Sequence, residues 1–175
     1  TDRVRNYVRL FGYKKIVDKL CTVPHPVNST MQYSNAGKEE LVIAVGRWDD
    51  VVQKRPEMLI ETIEQVLRAQ STVRFALVGR NSTRCLEELI TRVPKAKERC
   101  FAHERLEHNE LCRLMSRAQI SLCVSRFESF HIASAEALLC GCSIVAPRIP
   151  ALPAFEYFID EGNSGQLAPE DTVES

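Results

Sequence analysis

The sequence has no net charge and no long apolar run. Its 23 lysines and arginines are matched by 23 aspartates and glutamates. That balance leaves no bulk field to gather nucleic acid or anionic lipid, so any phosphate site must be local. No stretch reaches the roughly 18 apolar residues of a membrane span and no signal-peptide pattern is read in these residues, so this segment is expected neither to span nor to enter a membrane. A repeated Cys-x-x-Cys spacing is also missing. The seven cysteines are an odd number scattered mostly among apolar neighbours, which argues for reduced thiols in the cytoplasm over a disulfide framework or zinc site. Cys140 and Cys142 form the closest pair, and one intervening residue without further ligands nearby reads as buried structure. The chain begins without methionine and ends in a polar tail, so a piece of a longer protein is expected. At 175 residues it suffices for one domain with a substantial core and is too short for two.

What is present is an alternation of strand and helix patterns. Residues 1–19 are expected as an N-terminal helical or linker segment, with Val4, Val8, Phe11 and Ile16 among basic residues and Gly12 interrupting. Residues 20–175 are expected to form the domain. Residues 20–23 suit a short strand stopped by Pro24 and Pro26, and 28–40 a polar loop. Residues 41–45 are a continuous apolar run of the kind buried on both faces of a sheet, stopping at Gly46-Arg47. Pro56 suits a first helical turn, with Met58, Leu59, Ile63, Val66 and Leu67 at helical spacing through Ala69. A strand over 73–78 follows, and then a helix to Arg92 capped by Ser82 or Thr83 and supported by Glu87. Next come a strand over 99–102, a helix over 107–117 and a strand over 120–124. A helix after Glu128 stops at Gly141, and 143–146 is a strand. Pro147, Pro150 and Pro153 stiffen the connection to a short helix at 155–159, before a last strand at 165–168.

Repeated units of this kind with continuous apolar strands give an α/β class: a Rossmann-like three-layer α/β/α sandwich with a mainly parallel sheet. In such sheets ligands settle beyond the carboxyl ends of the strands, where loops lead into helix N-termini. That rule gathers Gly46-Arg47, Gly79-Arg80, residues 103–106 and residues 125–132 on one rim.

The last of these loops is the richest. Its helix offers the first unpaired N–H groups at about residues 130–133, a place for an anion such as phosphate. Glu128 and Glu136 flank those donors. Carboxylates accept hydrogen bonds from hydroxyls, and a nucleotide sugar carries hydroxyls at both ends of its diphosphate. Glu136 stands among Ala133, Ala135, Ala137, Leu138 and Leu139, where an isolated acid needs a partner. The plainer alternative makes Glu128 a complement to the helix dipole and Glu136 a solvated residue. Arg47 and Lys54 form a second constellation, a fork for paired hydrogen bonds and a mobile point charge, both suited to a diphosphate. Each alone reads equally as a solvated surface group.

From Glu128 to Val145 the run Glu-Ser-Phe-His-Ile-Ala-Ser-Ala-Glu-Ala-Leu-Leu-Cys-Gly-Cys-Ser-Ile-Val resembles the Glu-x7-Glu signature of retaining glycosyltransferases with the GT-B fold, family 4 especially. Gly46-Arg47 followed by Lys54 resembles the Gly-Arg…Lys element of the same family, and the likeness runs from about residue 20 to residue 169. It implies one half of a GT-B fold, the donor-binding domain of a hexosyltransferase-type enzyme that moves a sugar from a nucleotide-sugar donor to an acceptor with retention. By position, Arg47, Lys54 and Glu128 would be the catalytic groups, the first two on the diphosphate and the third on hydroxyls of the transferred sugar. Ser129, Phe130, His131 and Ile132 would supply backbone donors, Glu136 would hold the ribose, and the base would lie against the loop ending at Leu106. The resemblance implies no cofactor and no metal. Its partners are the donor and an acceptor bound by a missing N-terminal domain, with no nucleic acid, and any peripheral membrane contact would belong to that missing part. The fragment alone is expected to bind donor weakly and to be inactive. Three features depart from the family: His131 stands where glycine is common, Arg55 follows Lys54 and could be the phosphate ligand instead, and residues 150–154 replace a usual Gly-Gly…Pro-Glu segment. Two other readings stay open at this point, another GT-B enzyme such as a nucleotide-sugar epimerase, and a non-catalytic Rossmann-like interaction module.

Overall fold

The structure is a computed structural model that describes residues 5, 8–21, 23, 25–69, 72–149, 151–152 and 154–169. Continuous apolar runs become strands covered on both sides, and the helical patterns become the covers. A four-residue helix α1 (Lys14–Val17) follows a turn at Gly12. The strands are β1 (Glu39–Val45), β2 (Arg74–Val78), β3 (Cys100–His103), β4 (Ala118–Leu122), β5 (Ser143–Pro147) and β6 (Gly165–Ala168). Between them run helices α2 (Pro56–Ala69), α3 (Ser82–Arg92), α4 (Ala96–Arg99), α5 (His108–Arg117), α6 (Ile132–Leu139) and α7 (Phe155–Phe158). All six strands join one parallel sheet in the order β3-β2-β1-β4-β5-β6.

The two faces carry separate cores because successive side chains of a strand point opposite ways. Ala44, Phe75 and Leu77 face Leu59, Ile60 and Ile63 of α2 and Cys85 and Leu89 of α3. Leu41, Ile43, Ala76 and Ile144 face Leu114 and Met115 of α5, Ala137 of α6 and Phe155 of α7. This is the expected three-layer Rossmann-like sandwich. Among the described residues no helix is long and apolar enough to cross a membrane. None of the seven cysteines is in a disulfide, and Cys85, Cys100, Cys123, Cys140 and Cys142 are buried. Burial pushes the thiol of Cys100 up to about 12 and that of Cys85 up to about 11.

Two expectations fail because of neighbours distant in sequence. Residues 20 and 23 are outside the sheet and Val23 is exposed; Thr22 and Pro24 lie outside the described residues, as do Val4, Pro150 and Pro153. The nearest strand in sequence, β1, already has β2 and β4 along its two edges, so the short run at 20–23 has no pairing edge there. Neither Ser82 nor Thr83 caps α3. Ser82 is buried inside the helix with its Oγ unpartnered among the described residues, and Asn81 occupies the cap position at φ +65°. The cap comes from another rim loop: the N–H groups of Asn81 and Thr83 donate to the carboxylate of Glu104, at 2.7 and 2.9 Å. Those two bonds hold the Glu104 carboxyl below the usual carboxylate range.

The glycine stop after α6 is met in full. Gly141 sits at φ +78°, its N–H donates to the Leu138 carbonyl and that of Cys142 to the Ala137 carbonyl, both at 2.9 Å, the paired bonds that close a helix through a left-handed residue. Gly79 is under tighter constraint. At φ +108° a β-carbon on it would lie 2.0 Å from the Gly46 carbonyl oxygen, so the exits of β1 and β2 approach more closely than a side chain permits. Gly79→Ala is expected to destabilise the chain by at least ~2 kcal/mol, read as a lowered urea midpoint at unchanged m-value; a midpoint equal to that of the parent would contradict this packing.

Candidate functional site

The chain lays down β1, β2 and β3 toward one edge of the sheet, then returns to β1 and lays down β4, β5 and β6 toward the other. Loops leaving β1 and β4 therefore rise side by side, and such reversals are where open α/β sheets form ligand crevices. The loop after β1 carries Arg47 and Lys54, and the loop after β4 carries Glu128 to His131. Backbone joins them, since the Arg126 N–H donates to the Gln53 carbonyl at 2.8 Å. Gln53 also donates its side-chain amide to the Phe127 carbonyl at 3.1 Å.

Across that seam the Lys54 ammonium and the Glu128 carboxylate form an ion pair, each side chain 12% exposed. Arg47 stays at the surface, 57% exposed, with its guanidinium on Asp50 at 3.3 Å and on the Gln53 side-chain oxygen at 3.2 Å. Arg55 departs from Lys54. Its backbone turns through φ +53° and it lines a separate cleft of about 810 Å³ between α2 and α3, with Trp48, Asp49, Arg84, Glu88 and Arg126. Of the two neighbouring bases, Lys54 is the one brought to Glu128.

The helix start is displaced from its expected place. α6 begins at Ile132, and His131 is its cap residue at φ +60°, so the first helical N–H groups are those of Ile132 and Ala133 rather than of Phe130. Ser134 and Ala135 already donate to the His131 carbonyl. Ser129 and Phe130 precede the helix, and the Glu128 N–H is held by the Ala151 carbonyl at 3.0 Å. The His131 ring turns inward, 8% exposed, with Nδ1 2.6 Å from Ser134 Oγ and Nε2 3.7 Å from Cys123 Sγ. It leans on Phe155 at 5.7 Å between ring centres. Burial first, and then the nearby Lys54 charge, lower its pKa to about 4 against the opposing pull of Glu128, so the imidazole is neutral near pH 7.

Glu136 is the fifth residue of α6, in its second turn. Its carboxylate makes no hydrogen bond among the described residues; burial pushes its pKa up and His108 pulls it down. His108 opens α5, with its Nε2 shielded from solvent and unpartnered among the described residues. Leu106 is half-buried against the α5/α6 core, which leaves only part of its side chain to the rim. Within the same loop Glu104 is committed to capping α3.

Two residues at the site go unnoticed when the sequence is read alone. Gln53 has no chemical signature, and its role appears only once the two loops are neighbours. His108 had an available signal, a histidine at the start of a helix leaving a rim loop.

A lone charge at the seam costs more than the pair. Lys54→Met leaves Glu128 poorly solvated without its cation, and is expected to cost ~2–3 kcal/mol. The double variant Lys54→Met/Glu128→Gln should recover most of that loss in urea unfolding, and equal stability of the single and double variants would show that the pair is not coupled.

Residues 39–175 match the profile of the family described as glycosyl transferases group 1. Over 134 residues the chain is 28% identical to the GDP-mannose:cellobiosyl-diphosphopolyprenol alpha-mannosyltransferase of Xanthomonas campestris, covering 74% of this chain and 33% of that protein. Solved structures share the fold. The pneumococcal O-GlcNAc transferase GtfA, solved with UDP and GlcNAc, superposes with a TM-score of 0.70 at 19% identity, over 97% of this chain and 33% of its own. The sucrose-phosphate synthase of Thermosynechococcus elongatus gives 0.69 at 20% identity, over 99% and 45%. WaaG, a glycosyltransferase involved in lipopolysaccharide biosynthesis, gives 0.67 at 19% identity, over 90% and 45%. The chain thus spans a third of the curated relative and under half of these structures. With its all-parallel half of a GT-B fold and a match across most of its length, the chain belongs to the glycosyl transferases group 1 family.

Proposed function

We propose that this chain is the donor-binding half of a retaining glycosyltransferase that takes its sugar from a nucleotide-sugar donor. The observation that carries the reading is the meeting of Lys54 with Glu128 across the reversal point of the sheet, beside Arg47 and the start of α6. One cation, one carboxylate and a helix N-terminus on adjoining loops suit a ligand with phosphate next to a polyol. Arg47 and Lys54 bind the diphosphate and steady its charge as the bond to the sugar breaks, while Ile132 and Ala133 add backbone donors. Glu128 accepts hydrogen bonds from the transferred sugar, and Glu136, unpaired on the next turns of α6, accepts those of the ribose. The base lies toward Leu106. Side chains and helix N–H groups meet the charge of the diphosphate in this scheme, without a metal ion.

The acceptor belongs to a second domain outside this chain, a reading supported by the chain's spanning only a third of its mannosyltransferase relative. Transfer needs both halves, so the chain by itself is expected to bind donor and to turn over none. The donor named for that relative makes GDP the first nucleotide to try.

The test is calorimetry of this chain with GDP, UDP, ADP and their sugar conjugates. At least one is expected to bind, and Arg47→Ala and Glu136→Ala should each weaken it at least tenfold, about 1.4 kcal/mol. Absence of binding across the panel, or affinities indifferent to both substitutions, would overturn the donor-site reading.

A further inference from the structure

The site answers its own charges. Lys54 and Glu128, the two groups best placed for a donor, neutralise one another and are both largely shielded. A diphosphate that takes Lys54 as its partner therefore removes the cation from Glu128. The carboxylate keeps its shielded position, and a poorly solvated carboxylate without counter-charge either neutralises or finds a proton close by.

Two buried titratable groups feel the charges of the pair: Cys123, just past the end of β4, and His131, three residues beyond Glu128 in the same loop, their Sγ and Nε2 3.7 Å apart. Cys123 cannot answer, since its thiol, pushed up to about 11 by burial, already carries its proton. His131 has a ring nitrogen open to protonation. Burial and the Lys54 charge hold it neutral, with Glu128 opposing. Moving Lys54 toward a diphosphate weakens the second of these influences and adds negative charge nearby, and both changes favour imidazolium. The other neighbours of the ring, Ser134 of α6 and Phe155 of α7, carry no charge. The backbone adds a separate sign. Position 131 sits at φ +60°, where glycine would be unstrained, yet it keeps a ring, and strain retained beside a site points to a use for the side chain.

We propose that His131 is a positioning residue that takes up a proton from solution when a nucleoside diphosphate draws Lys54 off Glu128, and that it thereby keeps Glu128 a carboxylate facing the transferred sugar. The inference rests on the donor-site reading above. The proton comes from the buffer and adds to the unprotonated ring nitrogen; no bond within the nucleotide changes. The ligand-free ring holds a proton only below about pH 4 and the bound ring holds it at higher pH. Between those limits binding consumes a proton, so affinity rises as pH falls, by up to tenfold per pH unit. Protonation of the nucleotide's own terminal phosphate acts in the opposite direction.

Calorimetry of GDP and UDP at pH 6.5, in buffers of different ionisation enthalpy, counts the protons directly. The parent chain is expected to take up more protons per bound nucleotide than His131→Gln, by up to one, and to show the steeper gain in affinity toward low pH. Should His131→Gln fail to fold, ¹⁵N spectra of the histidine-labelled parent decide the matter, with the His131 ring changing from neutral to imidazolium at saturating GDP. Equal proton counts in parent and variant, or a ring that stays neutral in the GDP-saturated protein, would overturn the proposal. Nucleotide binding that depends on Arg47 and Glu136 without proton uptake at His131 sinks this inference alone; failure of both nucleotides to bind sinks the donor site together with it.

Discussion

β1 and β4 are far apart in sequence and lie side by side where the chain reverses its order across the sheet. Arg47, Lys54, Glu128, His131 and Glu136 are all placed by that adjacency. One strand delivers Arg47 and Lys54 and the other delivers Glu128, His131 and α6, and the two loops are stitched through Gln53. No local property of either loop would bring them together. Closure of the sheet does so, and its driving force is the burial of apolar side chains on both faces of the central strands. The site is thus a by-product of the core, set where the loops of two neighbouring strands leave for helices on opposite faces.

Electrostatics then sort the charged residues of the rim into two kinds. Arg47 and Asp50 are exposed enough that water and salt screen their contact, and pairs of this sort contribute about 0–1 kcal/mol. The Lys54–Glu128 pair is shielded on both sides, where each partner depends on the other because desolvation outweighs what either could recover from water. The same shielding keeps His131 neutral and lifts Glu136. Low solvation therefore does most of the tuning here, and individual charges correct it.

The class of fold was legible because each strand is a continuous apolar run and each helix a periodic one. β1 and α2 fall almost where the runs 41–45 and 56–69 put them. Gly141 was legible too, since a glycine after an apolar helical stretch has few other uses. What failed was whatever depends on a distant partner. The cap of α3 is Glu104, 21 residues beyond Thr83, so Ser82 and Thr83 looked sufficient from nearby. The start of α6 slipped to Ile132 because His131 accepts a left-handed backbone, which its residue type does not advertise. At the site, Arg47, Lys54, Glu128 and Glu136 could be chosen by chemistry and resemblance, but the pairing of Lys54 with Glu128 and the influence of His108 on Glu136 arise only in the folded chain.

The buried cysteines have a use apart from packing. Thiolate is the reactive form of cysteine, and Cys85, Cys100, Cys123, Cys140 and Cys142 are both shielded and raised to about 11 or 12 by burial. An alkylating reagent near neutral pH meets Cys21 at the surface and reaches these five only when the surrounding layers open. They are distributed over both faces of the sheet. The chain thus carries its own set of latent labels, one group under each helical layer, whose capture rates report separately on how often each layer lifts from the sheet.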